Sequence, residues 1–263
     1  MPDYSKIDVP EVLSYVFYPR DESGPCPGYA FDHFIPVAEA VALHCRFYEE
    51  DKNRSRPWIL YFHGNGEVVS DYDEIALFYF KHSLNLVVVD YRGYGKSNGT
   101  PTVADMSRDS RKVYESVKTA LAERGLRDDL WIMGRSLGSV SALAIAYDQG
   151  AGINGLIIES GFPSISSLIV RHGIATPGMD LDAITRECLD MVRSITVPVL
   201  IIHGEYDTLV PPDEAETIYE TIGSAHKDLL MIPGATHNDI MFVGLRQYME
   251  AIRKFVDSTS PAR

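Results

Sequence analysis

Gly134-Arg135-Ser136-Leu137-Gly138 is the stretch on which the reading of this chain turns. Asp128-Asp129-Leu130-Trp131-Ile132-Met133 leads into it as a strand, and Ser139 to Gln149, rich in Ala, Leu, Val and Ile, follows as a helix. Strand, sharp turn and helix are what a G-x-S-x-G elbow needs: the turn strains the serine backbone and lifts its hydroxyl clear of the sheet edge. The glycines two before and two after it are required because strand and helix pass too close for a Cβ. The pentapeptide alone recurs by chance in about one chain in ten of this length, so its flanks and what lies downstream carry the argument.

Working outward, continuous apolar runs recur at Trp58–Phe62, Leu84–Val89, Ile132-Met133, Leu156–Ile158, Val199–Ile202 and Leu229–Ile232. Such runs are strands buried on both faces. Helical patterns lie between them. One is expected near Asp71, with Glu74 three residues on and Ile75, Leu77 and Phe78 following. Another runs from a Thr102 cap to Gly125, a third opens at Pro211-Pro212, and a last one is striped by Leu245, Tyr248, Met249, Ile252 and Phe255. Val41, Leu43, Cys45 and Phe47 alternate like a half-buried antiparallel strand. The expected architecture is α/β: a mostly parallel sheet of about eight strands with helices on both faces. The 263 residues, 45% hydrophobic, suffice for a single domain over 1–263. Residues 163–195 break the alternation and read as a short helical cap or lid insertion, at the sheet edge where ligands bind in open α/β folds.

Composition excludes several classes. A net charge of −13 argues against nucleic acid as a partner. Cys26, Cys45 and Cys188 form neither a disulfide framework nor a zinc motif. No clustered His/Cys set and no nucleotide-binding glycine spacing is present, so neither metal nor cofactor is expected. The start of the chain shows no signal pattern and no apolar run spans a bilayer, which points to a cytoplasmic protein without an integral membrane segment.

A serine hydroxyl needs a base to take its proton and a carboxylate to orient that base. In this strand–helix order they follow as serine, acid, histidine, each on a loop after a strand. Asp207 follows Val199–Gly204, 71 residues after Ser136, and His237 follows Met231–Thr236, 30 residues later again. Glu159, at the end of the strand before the insertion, is an alternative acid. Asp239, two residues past His237, reads as a helix cap. Attack on a carbonyl puts charge on its oxygen, which calls for two backbone N–H donors. Leu137 supplies the first. His63-Gly64-Asn65-Gly66-Glu67 supplies the second, from Asn65 first and Gly66 next. Gly66 and Phe162 are the expected substrate-binding residues.

Taken together, Tyr61-Phe62-His63-Gly64-Asn65-Gly66, Asp90-Tyr91-Arg92-Gly93-Tyr94-Gly95-Lys96-Ser97, the elbow, His203-Gly204 with Asp207 and Val210-Pro211, and Gly234 with His237 resemble the α/β-hydrolase superfamily from about Ala30 to Val256. Within it the chain looks like the small abhydrolase-domain serine hydrolases with a short cap, on the serine-aminopeptidase-like and esterase branch that also includes depalmitoylating enzymes. It departs from the membrane-bound depalmitoylases in lacking a cysteine-rich N-terminus. The resemblance implies Ser136, Asp207 and His237 as a catalytic triad and a small-molecule acyl ester or thioester as substrate. Two other readings stay open. An exopeptidase or amidase would use Glu67 or Glu205 to hold a substrate amine. A non-catalytic ligand-binding protein would use the same fold without turnover.

Overall fold

The apolar runs become the centre of one eight-stranded sheet. A computed structural model describes residues 1–50 and 55–261. In chain order its elements are α1 (Pro10–Val16), β1 (Ala30–Ala38), β2 (Val41–Tyr48), β3 (Trp58–Phe62), α2 (Ala76–Lys81), β4 (Asn85–Val89), α3 (Val103–Glu123), β5 (Leu130–Arg135), α4 (Ser139–Gln149), β6 (Gly155–Glu159), α5 (Ser166–Arg171), α6 (Leu181–Ser194), β7 (Val199–Gly204), α7 (Pro212–Thr221), β8 (Lys227–Ile232) and α8 (Ile240–Thr259). The strand order is β1-β2-β4-β3-β5-β6-β7-β8. The β1–β2 and β2–β4 pairs are antiparallel, and every pair from β4 through β3 to β8 is parallel. The expected mixed sheet is therefore the one that forms.

The runs are apolar throughout because each strand feeds two cores. Trp58, Leu60 and Phe62 of β3 point into one, with Ile132 of β5 and Ile201 of β7, beneath α3, α4, α6 and α7. Ile59 and Tyr61 point into the other, with Trp131, Met133 and Leu200, beneath α2 and α8. Alternate side chains of a strand face opposite ways, so both sets must be apolar when both faces are covered. A one-residue slip would exchange the two sets, which is why the register is strongly specified.

Local sequence sets the helix ends unevenly. Thr102 caps α3 as expected, its hydroxyl accepting from the Asp105 N–H. Asp71 does not cap an α-helix. Its carboxylate turns back to the Val68 N–H and to Arg20, the chain makes a short 3₁₀ turn at Val69–Tyr72, and α2 begins only at Ala76. Asp239 likewise accepts from the Thr236 N–H at 2.6 Å rather than from the first turn of α8. Residues 163–195 hold two helices, α5 and α6. The N-terminal helix α1, with Pro10 in its first turn, was not anticipated.

The elbow is the tightest point of the fold. Ser136 has a φ of +51°, held in part by the Ser139 hydroxyl, which donates to the Ser136 carbonyl at 2.7 Å. A Cβ on Gly134 would sit 2.5 Å from the Gly138 carbonyl oxygen. One on Gly138 would lie 3.0 Å from the His63 carbonyl oxygen and closer still to that of Phe62. A single methyl therefore forces β3 and α4 apart. Gly138→Ala is expected to cost about 1–3 kcal/mol, in the range for overpacked sites, and to lower the melting temperature by several degrees. An unchanged melting curve would show that the crossing has slack.

Candidate active site

The parallel strands deliver the candidate site residues to one edge. Ser136 follows β5, Asp207 follows β7, His237 follows β8 and Asn65 follows β3. His237 Nδ1 is 2.7 Å from Asp207 Oδ2, and its Nε2 is 3.0 Å from Ser136 Oγ. A carboxylate only accepts, so Nδ1 carries the proton and donates to Asp207. In the neutral ring Nε2 is then the acceptor for the Ser136 hydroxyl. All three side chains are buried, with residue exposures of 7% for Ser136, 5% for His237 and 2% for Asp207.

Asp207 is kept ionised by its surroundings. Its Oδ1 accepts from the Leu209 and Val210 N–H groups at 3.0 and 2.8 Å. His203 Nε2 lies 3.4 Å from Oδ2 while donating to the Val210 carbonyl at 2.8 Å. Burial by itself raises the Asp207 pKa. Hydrogen bonding to His203 and His237, with the Val210 N–H, outweighs that and holds it well below the usual carboxylate range. Glu159, the alternative acid, is engaged elsewhere. Its Oε2 accepts from Tyr61 and Tyr248 at 3.0 and 2.7 Å, and its Oε1 lies 3.2 Å from Arg135 Nε.

Arg135 of the elbow ties the loops together. Its Nη1 meets Glu67, and its Nη2 donates to the His237 carbonyl at 2.9 Å and to Asn238 Oδ1 at 3.0 Å. Glu67 in turn accepts from the Gly64 N–H at 2.9 Å and from Tyr72 at 2.6 Å. Burial would raise the Glu67 pKa, but the Arg135 charge and the Tyr72 hydroxyl bring it down. Glu67 is thus a structural anion paired inside the protein and not a free carboxylate for a substrate amine. Glu205 accepts from the Gly234 N–H at 2.9 Å.

A cavity of about 370 Å³ opens over Ser136, Leu137, His237 and Asn65. Leu168, His172 and Ile174, from residues 163–195, line one part of it, and Leu209 and Val210 another. Tyr15, Val16 and Tyr18 complete it from the N-terminal segment. Among the described residues, none that lines it is acidic. Two expected binding residues are not on this wall. Phe162 is 1% exposed and belongs to the hydrophobic core, and residues 163–195 meet the cavity through Leu168, His172 and Ile174. Gly66 has a φ of +76°, and its carbonyl accepts from Arg20 at 3.0 Å. Asn65 lines the cavity, and its N–H has no backbone acceptor among the described residues. The part played by residues 15–18 was missed. The only hint in the sequence was Pro10-Glu11 opening a helix with Val12 and Val16 on one face. Among the described residues, no group of three or more His, Cys, Asp or Glu side chains is arranged to hold a metal ion.

The chain matches the family "Serine aminopeptidase, S33" (Hydrolase_4) over residues 53–179 and 167–241. It belongs to that family. It is 33% identical over 201 residues to protein bem46 of Schizosaccharomyces pombe, an alignment covering 73% of this chain and 64% of bem46. It is 32% identical over 209 residues to lysophosphatidylserine lipase ABHD12 of Danio rerio, covering 72% of this chain and 54% of that protein. The chain thus spans less than two thirds of the length of either relative. The Pyrococcus furiosus esterase Pf2001 shares the fold with a TM-score of 0.74 at 19% identity, over 92% of this chain and 98% of the esterase. This member of the S33 family is an α/β-hydrolase, and its sheet, elbow and strand-end loops follow that plan. No helix among its described residues is long and apolar enough to cross a membrane.

The buried carboxylates make acid stability testable. Burial alone raises the pKa of Asp90, but His44, His63 and the Val69 N–H bring it down to about 2 from 3.8. Asp207 is shifted in the same direction. A folded-state pKa below the unfolded one means that the ionised group stabilises the fold above pH 3.8 and that this contribution is lost as pH falls towards 2. The melting temperature should therefore drop over that window, and Asp90→Asn should start lower and flatten the drop. An unaltered profile in the variant would show that Asp90 is not among the groups responsible.

Proposed function

We propose that this α/β-hydrolase is a serine hydrolase cleaving a carboxylic ester or thioester through an acyl-enzyme on Ser136. The observation that carries the reading is the continuous chain from Ser136 Oγ to His237 Nε2, and from His237 Nδ1 to Asp207. His237 takes the Ser136 proton as Oγ attacks the acyl carbon. The N–H groups of Leu137 and Asn65 receive the charge on the carbonyl oxygen. The alcohol or thiol leaves with the proton from His237. Water, deprotonated by the same ring, then adds to the acyl carbon and releases the acid and Ser136.

Two features favour an ester over a substrate held by its amine. The wall of the cavity is apolar or aromatic over much of its extent and carries no carboxylate. Of the two candidates for an amine, Glu67 is already paired with Arg135 and Glu205 accepts from the Gly234 N–H. The names of a lipase relative and an esterase neighbour agree with this reading. We place residues 163–195 as a cap, supported by Leu168, His172 and Ile174 on the cavity wall.

Ser136→Ala is expected to remove turnover of p-nitrophenyl esters and labelling by a fluorophosphonate. Asp207→Asn should lower kcat by about 10⁴, the loss seen when a triad carboxylate no longer sets the histidine tautomer. Glu159→Gln should keep kcat within about tenfold while lowering the melting temperature, because it disturbs a buried hydrogen-bonded anion. The reverse pattern, a mild Asp207→Asn and a severe Glu159→Gln, would move the acid to Glu159. Hydrolysis of aminoacyl-anilides faster than acyl esters would favour the peptidase reading, and an unlabelled Ser136 in folded protein would favour a binding protein.

A further inference from the structure

The Asn65 side chain points away from the chemistry proposed above and into the N-terminal segment. Its Nδ2 donates to the Val16 carbonyl at 2.7 Å, and its Oδ1 accepts from the Tyr18 N–H at 3.0 Å and the Tyr94 hydroxyl at 2.7 Å. The Tyr18 N–H also lies 3.0 Å from the Tyr94 hydroxyl, which closes a small ring of hydrogen bonds. Two residues after Tyr18, Arg20 donates to the Gly66 carbonyl at 3.0 Å and to Asp71 at 2.9 Å, while its own carbonyl accepts from the Gly95 N–H at 2.7 Å. The turn at Asn65 lies between two glycines, the sequence least able to hold a backbone direction by itself. An N–H that receives developing charge is effective only if its direction is set before the reaction.

We propose that residues 15–20 are a clamp that orients the Asn65 N–H toward the reacting carbonyl, with the Asn65 side chain as the positioning group and Tyr94 as its brace. The inference rests on the reading of Ser136, Leu137 and Asn65 given above. The S33 family match begins at residue 53, so the clamp comes from outside the matched segment. The same residues line the cavity through Tyr15, Val16 and Tyr18. One short segment therefore both walls the cavity and holds the donor.

The test uses the full chain and two variants, Asn65→Ala and Tyr94→Phe, alone and combined. Each is measured for kcat and KM on a p-nitrophenyl ester and for inhibition by an alkyl trifluoromethyl ketone. Ser136 Oγ adds to the ketone carbon, the serine proton passes to His237, and the ketone oxygen becomes an anion at the Leu137 and Asn65 N–H groups. Asn65→Ala should lower kcat by about 30-fold, somewhat less than outright removal of an oxyanion donor. KM should stay within about threefold, and ketone affinity should fall with kcat, the pattern of an interaction made in the transition state. Tyr94→Phe should lose about three- to tenfold in both quantities. The double variant should be no worse than Asn65→Ala, because the two side chains act as a unit. The clamp is overturned if kcat falls without any loss of ketone affinity, or if the losses simply multiply. It is also overturned if Asn65→Ala matches the wild type while Ser136→Ala is inactive. Turnover retained by Ser136→Ala would instead sink the serine-hydrolase reading itself. Should Asn65→Ala not fold, Tyr94→Phe decides alone: unchanged kcat and unchanged ketone affinity count against the clamp.

Discussion

The structure depends on how closely β5 and α4 pass beneath the loop that follows β3. Gly138 leaves no room for a methyl against the Phe62 and His63 carbonyls, and Gly134 leaves none against Gly138. That contact does two things at once. It forces the sharp turn that puts Ser136 at a φ of +51°, and it brings the Asn65 loop alongside the serine. A wider crossing would relax the strain on Ser136 and separate the hydroxyl from its neighbours in the same movement. Strain of this kind persists only where the surroundings over-determine it. Here the two-sided core supplies the restraint: Phe62 and Ile132 are packed on one face of the sheet, Tyr61 and Met133 on the other.

Charge is then arranged around that crossing so that each loop is tied to another. Arg135 reaches Glu67 beside the Asn65 loop, Glu159 at the end of β6 and the carbonyl of His237. Asp90, after β4, is held by His44 and the Val69 N–H. Buried charges of this kind contribute little net stability over apolar replacements, yet they are costly to break one at a time. Their value here lies in relative position, since the residues they connect come from several different strands and loops of the sheet. Asp207 shows the same logic at smaller scale. Two backbone N–H groups fix one oxygen, and the other is left for His237.

Much of this was legible in the sequence, for identifiable reasons. Strands buried on both faces leave continuous apolar runs, so β3, β4, β6 and β7 announce themselves. The elbow, with its glycines, and the order of Ser136, Asp207 and His237 are local or ordinal features, readable without coordinates. Legibility failed where a residue had competing partners. Asp71 and Asp239 had the chemistry of helix caps, but the first turns to Val68 and Arg20 and the second to Thr236. Phe162 is a large apolar side chain just before residues 163–195, and nothing in the sequence says that the core would claim it. Glu67 reads in sequence as a free loop carboxylate, whereas in the fold Arg135 pairs with it.

The sequence by itself determined the layered α/β plan, the edge at which the loops gather and the three residues that meet there. Those follow from periodicity, from glycine sterics and from strand order, all of which act over short stretches or along the chain's direction. Only the tertiary structure decided which surfaces close the cavity and what holds the Asn65 turn in place. Residues 15–20 lie about 45 residues away in sequence from that turn, and their contribution is made through the backbone atoms of Val16 and Tyr18 and the guanidinium of Arg20. Backbone hydrogen-bonding groups are nearly the same at every position, so such contacts leave little trace in residue identity and appear only when the chain is folded.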